Sequence, residues 1–271
     1  QAQGLSVRVA VRHPERAPAA ADERVVADLR DPAAVARALA GAAVAVNAVA
    51  LYVERGGDRF AAVHVDGARH LGEAAARAGV RRLFHVSGVG ADPRSESAYV
   101  RCRAAGEEAV RAAFPAATIL RPCVMMGPDD AFLTTLLALV RRAPVLPLFG
   151  RGDTRLQPVH VEDVAEAAAR LATRPAPPDP LYELGGPGIL SYGVLLERVA
   201  ARAGRRPLFV PVPLPLWRAA AAAAAVLPSP PITPAQVALM RRDNVAAPAL
   251  SPFGALGLTP ASVESVLATL P

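Results

Sequence analysis

The chain contains no lysine: all 30 side chains in its Lys+Arg total are arginine. No position can therefore place a compact ammonium beside a reacting group, and every basic side chain carries a planar guanidinium instead. Arginine without lysine, alongside abundant alanine, reads as base-composition bias of the source genome. Cysteine is almost absent. Cys102 and Cys123 make neither a metal-binding nor a redox spacing, no metal site is expected, and the usage suggests a reducing compartment. Aromatic residues are only 4% of the chain, and the arginines never run longer than two. The net charge of +6 therefore comes without a stacking platform, and no nucleic-acid partner is expected. No window approaches the ~20 apolar residues of a transmembrane helix. No secretory signal is visible, so a cytoplasmic location is expected.

A glycine-rich phosphate loop is also missing. Gly56-Gly57 and Gly185-Gly186 stand in the wrong context to follow a first strand. What is present alternates strand and helix. Ser6–Arg12 and Arg24–Leu29 read as strands, and Gln1–Gly4 as the end of a helix closed by glycine. Asp31-Pro32 caps a helix that Gly41 stops. Ala43–Ala50 is a continuous apolar run suited to a buried parallel strand. A helix follows with Val63, Gly67, Leu71, Ala74, Ala75 and Ala78 inward, ended by Gly79. Arg82–Ser87 is a strand, a helix begins near Tyr99, and Thr118–Cys123 is another strand. This order predicts an α/β fold with a doubly wound Rossmann-type parallel sheet. Such a fold begins one strand and one helix earlier, so the pattern implies roughly 30 residues ahead of Gln1. Without the first, central strand, Ser6–Arg12 and Ala43–Ala50 are expected to show a gap or forced re-pairing between them, and the 271 residues alone to bind nucleotide poorly.

The expected division is a nucleotide-binding domain over residues 1–130 and a smaller α+β substrate or docking region over 131–271, with 151–175 returning to the first domain. In the second half, Phe132–Arg142 is a helix and Leu156–Val161 a short strand. A helix then runs through Leu171, Pro175–Pro180 is a linker, and Leu181–Gly186 is a strand. Ser191 caps the next helix, and Pro207–Pro213 is extended. Thr233-Pro234-Ala235-Gln236 is a capping box for a helix to about Arg242, and Thr259-Pro260 opens the last helix. Leu216–Leu227 is expected as a buried helix, the alternative being a surface helix that docks on a membrane complex.

The stretch around which the chain is organised is HVSGVGADPRSESAYVRCR, His85 to Arg103. Ser87 ends a strand, and Tyr99 and Arg103 are four apart on one helix face. A serine facing Tyr-x-x-x-base resembles the short-chain dehydrogenases/reductases. That resemblance implies that Ser87 holds a substrate oxygen and Tyr99 transfers a proton. Arg103 stands where a lysine usually lowers the tyrosine pKa and binds the nicotinamide ribose, and Asp66 lies near the place of a customary asparagine. The same resemblance assigns cofactor contacts. Arg12, with Arg16, follows the second natural strand and favours NADP(H) over NAD(H), because a basic residue accommodates the 2′-phosphate. Asp28 and Leu29 reach the adenine, or Asp28 is a second cap beside Asp31. Ala48, Val49 and Ala50 let the chain pass close to the cofactor. Tyr99 and Arg103 also contact the cofactor, and Pro122, in LRPCVMMGPDD, lies at the nicotinamide. LQPVHVEDVA resembles another segment of the extended reductases, in which Asp163 and His160 are structural.

ITPAQVALMRRDNV and LGLTPASVESVL look like the C-terminal signature of an atypical branch containing the alpha-subcomplex subunit nine of respiratory complex I and its bacterial relatives. The resemblance implies an NADP(H)-binding accessory, assembly or redox-sensing protein, with a respiratory-complex or membrane-peripheral partner at the inner face of the membrane. An active NADP(H)-dependent oxidoreductase or epimerase on a small substrate stays open beside it.

Overall fold

Helix starts and stops are written locally in this chain, and they set the element order of the computed structural model. The structure describes residues 4–128, 130–175, 178–227 and 232–269. All of the expected helix end at Gln1–Gly4 except Gly4 falls outside the described residues, as do the middle of the Pro175–Pro180 linker and the Arg16 side chain. Strand β1 is Arg8–Val11 and β2 is Glu23–Val26. Asp31 accepts the Ala33 and Ala34 N–H groups at the start of α1, Pro32–Leu39, and Gly41, with φ +72°, turns the chain where a side chain would be strained. Strand β3 is Val44–Asn47. The next helix begins as a π-helical segment, Ala61–Asp66, and continues as α2, Gly67–Arg77. Then come β4, Arg82–Val86, α3, Ala98–Ala113, β5, Thr118–Pro122, and β6, Met125–Met126. Asp130 caps α4, Ala131–Arg142, which leads to β7, Val145–Phe149. The expected strand Leu156–Val161 is two short pieces, β8, Arg155–Leu156, and β9, Val159–His160, because Pro158 offers no N–H to a ladder. Helix α5, Val161–Thr173, is followed by β10, Leu181–Leu184, and β11, Leu190–Ser191. Ser191 caps α6, Tyr192–Arg202, and β12, Leu208–Val212, and α7, Leu214–Ala224, follow. The Thr233–Gln236 capping box opens α8, Pro234–Leu239. The last helix, α9, spans Val263–Ala268 and is capped by Ser262 rather than opened at Thr259.

The chain divides into two compact units. The first holds Gln1–Ser87, Ala91–Leu120 and Ala168–Tyr182. Its main sheet has the order β10-β5-β4-β3, and β3, β4 and β5 run parallel. Parallel strands with helices between them make this a Rossmann-type α/β fold. Its core is built from small residues, Ala45, Ala68, Ala74 and Ala75, packed with Val35, Leu71 and Ile119, so the helices approach closely. A Cβ added at Gly106 of α3 would lie 2.1 Å from the His64 carbonyl oxygen.

Strands β1 and β3 lie in separate sheets. Among the described residues β1 pairs only with β2 and β3 only with β4, which is the gap expected between them. The apolar run 43–50 is accordingly not a fully buried strand: Val46 is 51% exposed, because β3 is an edge. Four further local readings are corrected. Asp28 and Leu29 lie past the end of β2, in a turn where Asp28 accepts the Arg30 N–H and its carbonyl accepts that of Asp31. Ala48, Val49 and Ala50 lie past the end of β3 and are exposed. Ala78 is exposed, since α2 has ended before it reaches the core. Helix α8 stops at Leu239, short of Arg242.

The second unit, Gly88–Gly90, Arg121–Ala167 and Glu183–Pro271, has a larger-residue core of Leu133, Leu136, Leu195, Leu196 and Val199 among others. Strand β12 pairs in parallel with β7. Asp163 accepts the Ala261 N–H at 2.8 Å, a structural role. Helix α7 is not buried: only Ala221 is covered, and Leu216 is 61% exposed. Trp217 is half-buried and donates from its indole nitrogen to the Leu148 carbonyl.

Candidate functional site

Two polar clusters lie in the first unit. The smaller is a chain of ion pairs. Arg12 pairs with Asp58 at 3.1 Å, Asp58 with Arg30 at 2.8 Å, and Arg30 with Asp28 at 2.6 Å. The Arg30 side chain holds the Asp28 carboxyl below the usual range by hydrogen bonding to it. Arg12 and Asp28, both expected to face the adenosine end of a cofactor, are thus linked through Asp58 and Arg30. Leu29 packs against Gly67, at the start of α2.

The larger cluster gathers on α3 and the strand ends beside it. Ser87 follows β4, and Tyr99 and Arg103 lie one turn apart on α3. Arg103 joins the two segments. Its guanidinium carbon is 5.7 Å from the Tyr99 ring centroid, and it donates to the Val86 carbonyl, one residue before Ser87. Arg103 is buried, and among the described residues no carboxylate pairs with it. The Ser87 hydroxyl is also buried, and among the described residues no hydrogen-bond partner reaches it.

Sequence reasoning missed the neutral groups that complete this cluster. Asn47, at the end of β3, accepts the Val49 N–H with its amide oxygen and faces His85 Nδ1 with its amide nitrogen at 3.0 Å. That network assigns His85 the tautomer protonated on Nε2. Burial, reinforced by Arg103, pushes His85 down to about 3. Burial likewise takes His64 down to about 4, against the effect of its contact with the Leu51 carbonyl. Both imidazoles are therefore neutral. Tyr99 is pushed up to about 12, first by burial, while Arg103 pulls the other way. The cation lowers the tyrosine as the resemblance implies, but desolvation outweighs it. His85 stood two residues before Ser87 in the motif itself, and its place in a buried strand was the available signal. Tyr52, Phe60 and His64 carry no local signal, because their contacts with Tyr99 are made across the fold.

Pro122 lies in the second unit, buried at the end of β5. Beside it Cys123 is pushed up to about 12, mainly by burial, so its thiol is inert. Arg121 and Glu183 form a largely buried pair at 3.5 Å. No group of His, Cys, Asp or Glu among the described residues could hold a metal ion, and no described helix is long and apolar enough to cross a membrane.

A parallel Rossmann-type sheet, with a serine after one strand and a tyrosine and a cation on the helix that follows it, is the arrangement of a nucleotide-binding protein of the dehydrogenase/reductase kind. Residues 1–185 match the NAD dependent epimerase/dehydratase family, and the chain belongs to that family. It is 35% identical over 201 residues to NADH dehydrogenase (ubiquinone) 1 alpha subcomplex subunit 9, mitochondrial, of Arabidopsis thaliana, covering 72% of this chain and 49% of that one. It is 41% identical over 143 residues to the ceramide reductase of Caulobacter vibrioides, covering 53% and 44%. The chain thus spans about half the length of the curated relatives it matches. In structure it is similar to MoeE5 in complex with UDP-glucuronic acid and NAD, with a TM-score of 0.73 at 19% identity, over 99% of this chain and 90% of that one.

Proposed function

We propose that this protein binds NADP(H) and serves as an accessory, assembly or redox-sensing protein related to respiratory complex I. The observation that carries the reading is the pairing of a buried Arg103 guanidinium and a buried Ser87 hydroxyl that, among the described residues, have no carboxylate and no hydrogen-bond partner respectively. Both want oxygen atoms, and buried polar groups are costly when left unsatisfied. The residues present fit a nicotinamide cofactor: Arg103 and Tyr99 to hold its ribose, and Ala48, Val49 and Ala50 to pass close to it. Asp28 and Leu29 would meet the adenine. When bound, the cofactor supplies or accepts a hydride. Among the described residues Arg12 is held only by a half-exposed ion pair to Asp58. Such pairs contribute at most about 1 kcal/mol, so exchanging Asp58 for a 2′-phosphate is cheap.

Residues 1–130 are the nucleotide-binding part in this reading, with 151–175 returning to it. The remainder of 131–271 is the substrate or docking region, and α7 its docking helix. The partner is a respiratory-complex or membrane-peripheral protein, and the site of action the cytoplasm at the inner face of the membrane. Relatives named as complex I subunits support this, as does Arg103 in place of a lysine. A second reading, an active NADP(H)-dependent oxidoreductase or epimerase, is favoured by the Ser87, Tyr99 and Arg103 set and by the relative named ceramide reductase.

Thermal shift of the protein tests the reading. NADPH should stabilise it by about 2.7 kcal/mol at a hundred times its dissociation constant, and by more than NADH does at the same concentration, and Arg12→Glu should abolish the preference. Equal shifts sink the NADP(H) assignment, and no shift with either nucleotide sinks binding. Tyr99→Phe should leave the NADPH shift nearly intact while removing any turnover.

A further inference from the structure

Part of the second unit carries charge of one sign only. Residues 131–152 and 198–242 together hold ten arginines and no aspartate or glutamate, all 24 acidic residues lying elsewhere in the chain. The fold brings these two stretches together, because they supply β7 and β12, which pair in parallel from Val145↔Leu208 to Phe149↔Val212. Parallel strands start at the same end, and there the Leu208 N–H donates to the Pro144 carbonyl at 2.8 Å. Arg142, the last residue of α4, and Arg205-Arg206, just before β12, therefore lie at that one end of the sheet. All three are exposed. Among the described residues their side chains make no hydrogen bond and no ion pair.

The sheet face beside them is apolar and bare. Leu146 and Leu148 are buried in the core of the unit, and strand alternation turns Val145 and Pro147 the other way. The register sets Val145 opposite Leu208 and Pro147 opposite Val210. All four are exposed, Leu208 at 63% and Val145 at 48%. Contiguous exposed apolar side chains of this kind mark a protein or a membrane contact. Two features favour a membrane. None of the four is aromatic, whereas protein interfaces are enriched in aromatic anchors and single-stranded nucleic acid needs stacking surfaces. Aliphatic side chains next to unpaired cations are instead the combination that holds a protein at an anionic bilayer surface.

We propose that the β7–β12 face docks on an anionic lipid surface. Val145, Leu208 and Val210 enter the headgroup boundary, and Arg142, Arg205 and Arg206 meet lipid phosphates. The proposal rests on the reading above only for a membrane at the site of action. The surface itself stands on the second unit alone, on strands and not on α7, and no nucleotide takes part in it.

Flotation of the chain with lipid vesicles tests this without nucleotide or turnover. Phosphatidylcholine vesicles with added phosphatidylglycerol should carry the protein, and phosphatidylcholine alone should carry little of it. Arg142→Gln, Arg205→Gln and Arg206→Gln together should weaken binding about fivefold for each arginine, about a hundredfold in all. The control removes the same charge from the first unit through Arg37→Gln, Arg59→Gln and Arg94→Gln, three exposed arginines, and should keep most of the binding. Leu208→Ser with Val210→Ser should weaken binding even in high salt, since apolar burial is not screened. Equal losses from the two arginine triples would mean that net charge alone attracts the protein, and overturn the proposal. Binding that the serine pair leaves unchanged overturns it as well. So does capture by polyglutamate without capture by vesicles, which would assign the patch to an acidic protein. Thermal shift with NADPH is a separate measurement, so failure of the nucleotide reading and failure of this inference are separate results.

Discussion

Replacing Gly106 by alanine sets two effects of known sign against each other. Gly106 lies in the interior of α3, where alanine is favoured over glycine by about 1 kcal/mol. On an exposed helix face the substitution would stabilise the protein by that amount. Here the new Cβ would lie 2.1 Å from the His64 carbonyl oxygen and 3.1 Å from its carbon. An ordinary C···O contact is over an ångström longer. The obstacle is the backbone of the π-helical segment, not a side chain that can turn away. Overpacking a tight contact costs about 1–3 kcal/mol, and a rigid partner puts this case at the upper end. The clash wins, and Gly106→Ala should destabilise the first unit by about 1–2 kcal/mol. Hydrogen exchange of the α3 amides reads the loss where it occurs and does not require the two units to unfold together. Gly57, where an added Cβ meets nothing within 4 Å, is the control, and Gly57→Ala should change stability by no more than about 0.5 kcal/mol. A Gly106→Ala protein with α3 protection equal to or above the wild type would refute the packing of α3 on the His64 segment.

Two further outcomes follow from the first unit. His64 and His85 are held neutral, at about 4 and about 3, below the unfolded value near 6.5. The unfolded chain therefore binds protons that the folded one refuses, and stability is lost as pH falls below about 6.5. The loss by pH 5 is about 2 kcal/mol for each histidine. Denaturant midpoints that stay flat across this range would contradict their burial as neutral groups. Asp31→Ala should cost about 1 kcal/mol, since Asp31 caps α1 by accepting two N–H groups; an unchanged midpoint would show that α1 does not depend on its cap.

The parts of the fold that sequence made legible are those governed by neighbours a few residues apart. Asp31-Pro32, Gly41, Gly79 and the Thr233–Gln236 box each act within one helical turn, and each stands where its local chemistry predicts. Tyr99 and Arg103 share a face for the same reason. The readings that failed depend on what lies across the fold. Val46 was taken as buried because its run is apolar, and apolarity cannot tell a central strand from an edge. The Arg12–Asp58 contact spans 46 positions, and no periodicity announces it. Helix α9 was expected to open at Thr259-Pro260, but its cap is Ser262. Only Ser262 has its oxygen on a helical N–H, that of Ser265. The π-helical segment under Gly106 also lacks a local signal, because the contact that Gly106 permits comes from a different helix.

One group sets the electrostatics of the Tyr99 cluster. Arg103 lowers Tyr99, His64 and His85 alike, as a cation does to every neighbouring proton site. For the histidines this adds to burial, and both end neutral. For the tyrosine it opposes burial and loses, so Tyr99 keeps its proton. The result is a buried positive charge beside three neutral groups, which among the described residues meets the Val86 carbonyl and the Tyr99 ring face. A proton-transfer site wants a tyrosine poised near the working pH, and a value near 12 is far from it. A site that holds an oxygen-rich ligand wants a fixed fork of donors and a charge that cannot be lost, which arginine supplies and lysine does not. The arginine at this position therefore weighs toward holding a nucleotide over turning it over. Arg103→Lys discriminates the two. If it weakens NADPH binding without creating turnover, the site is built to hold. If it yields turnover at undiminished affinity, the site is a reductase centre restrained by one side chain.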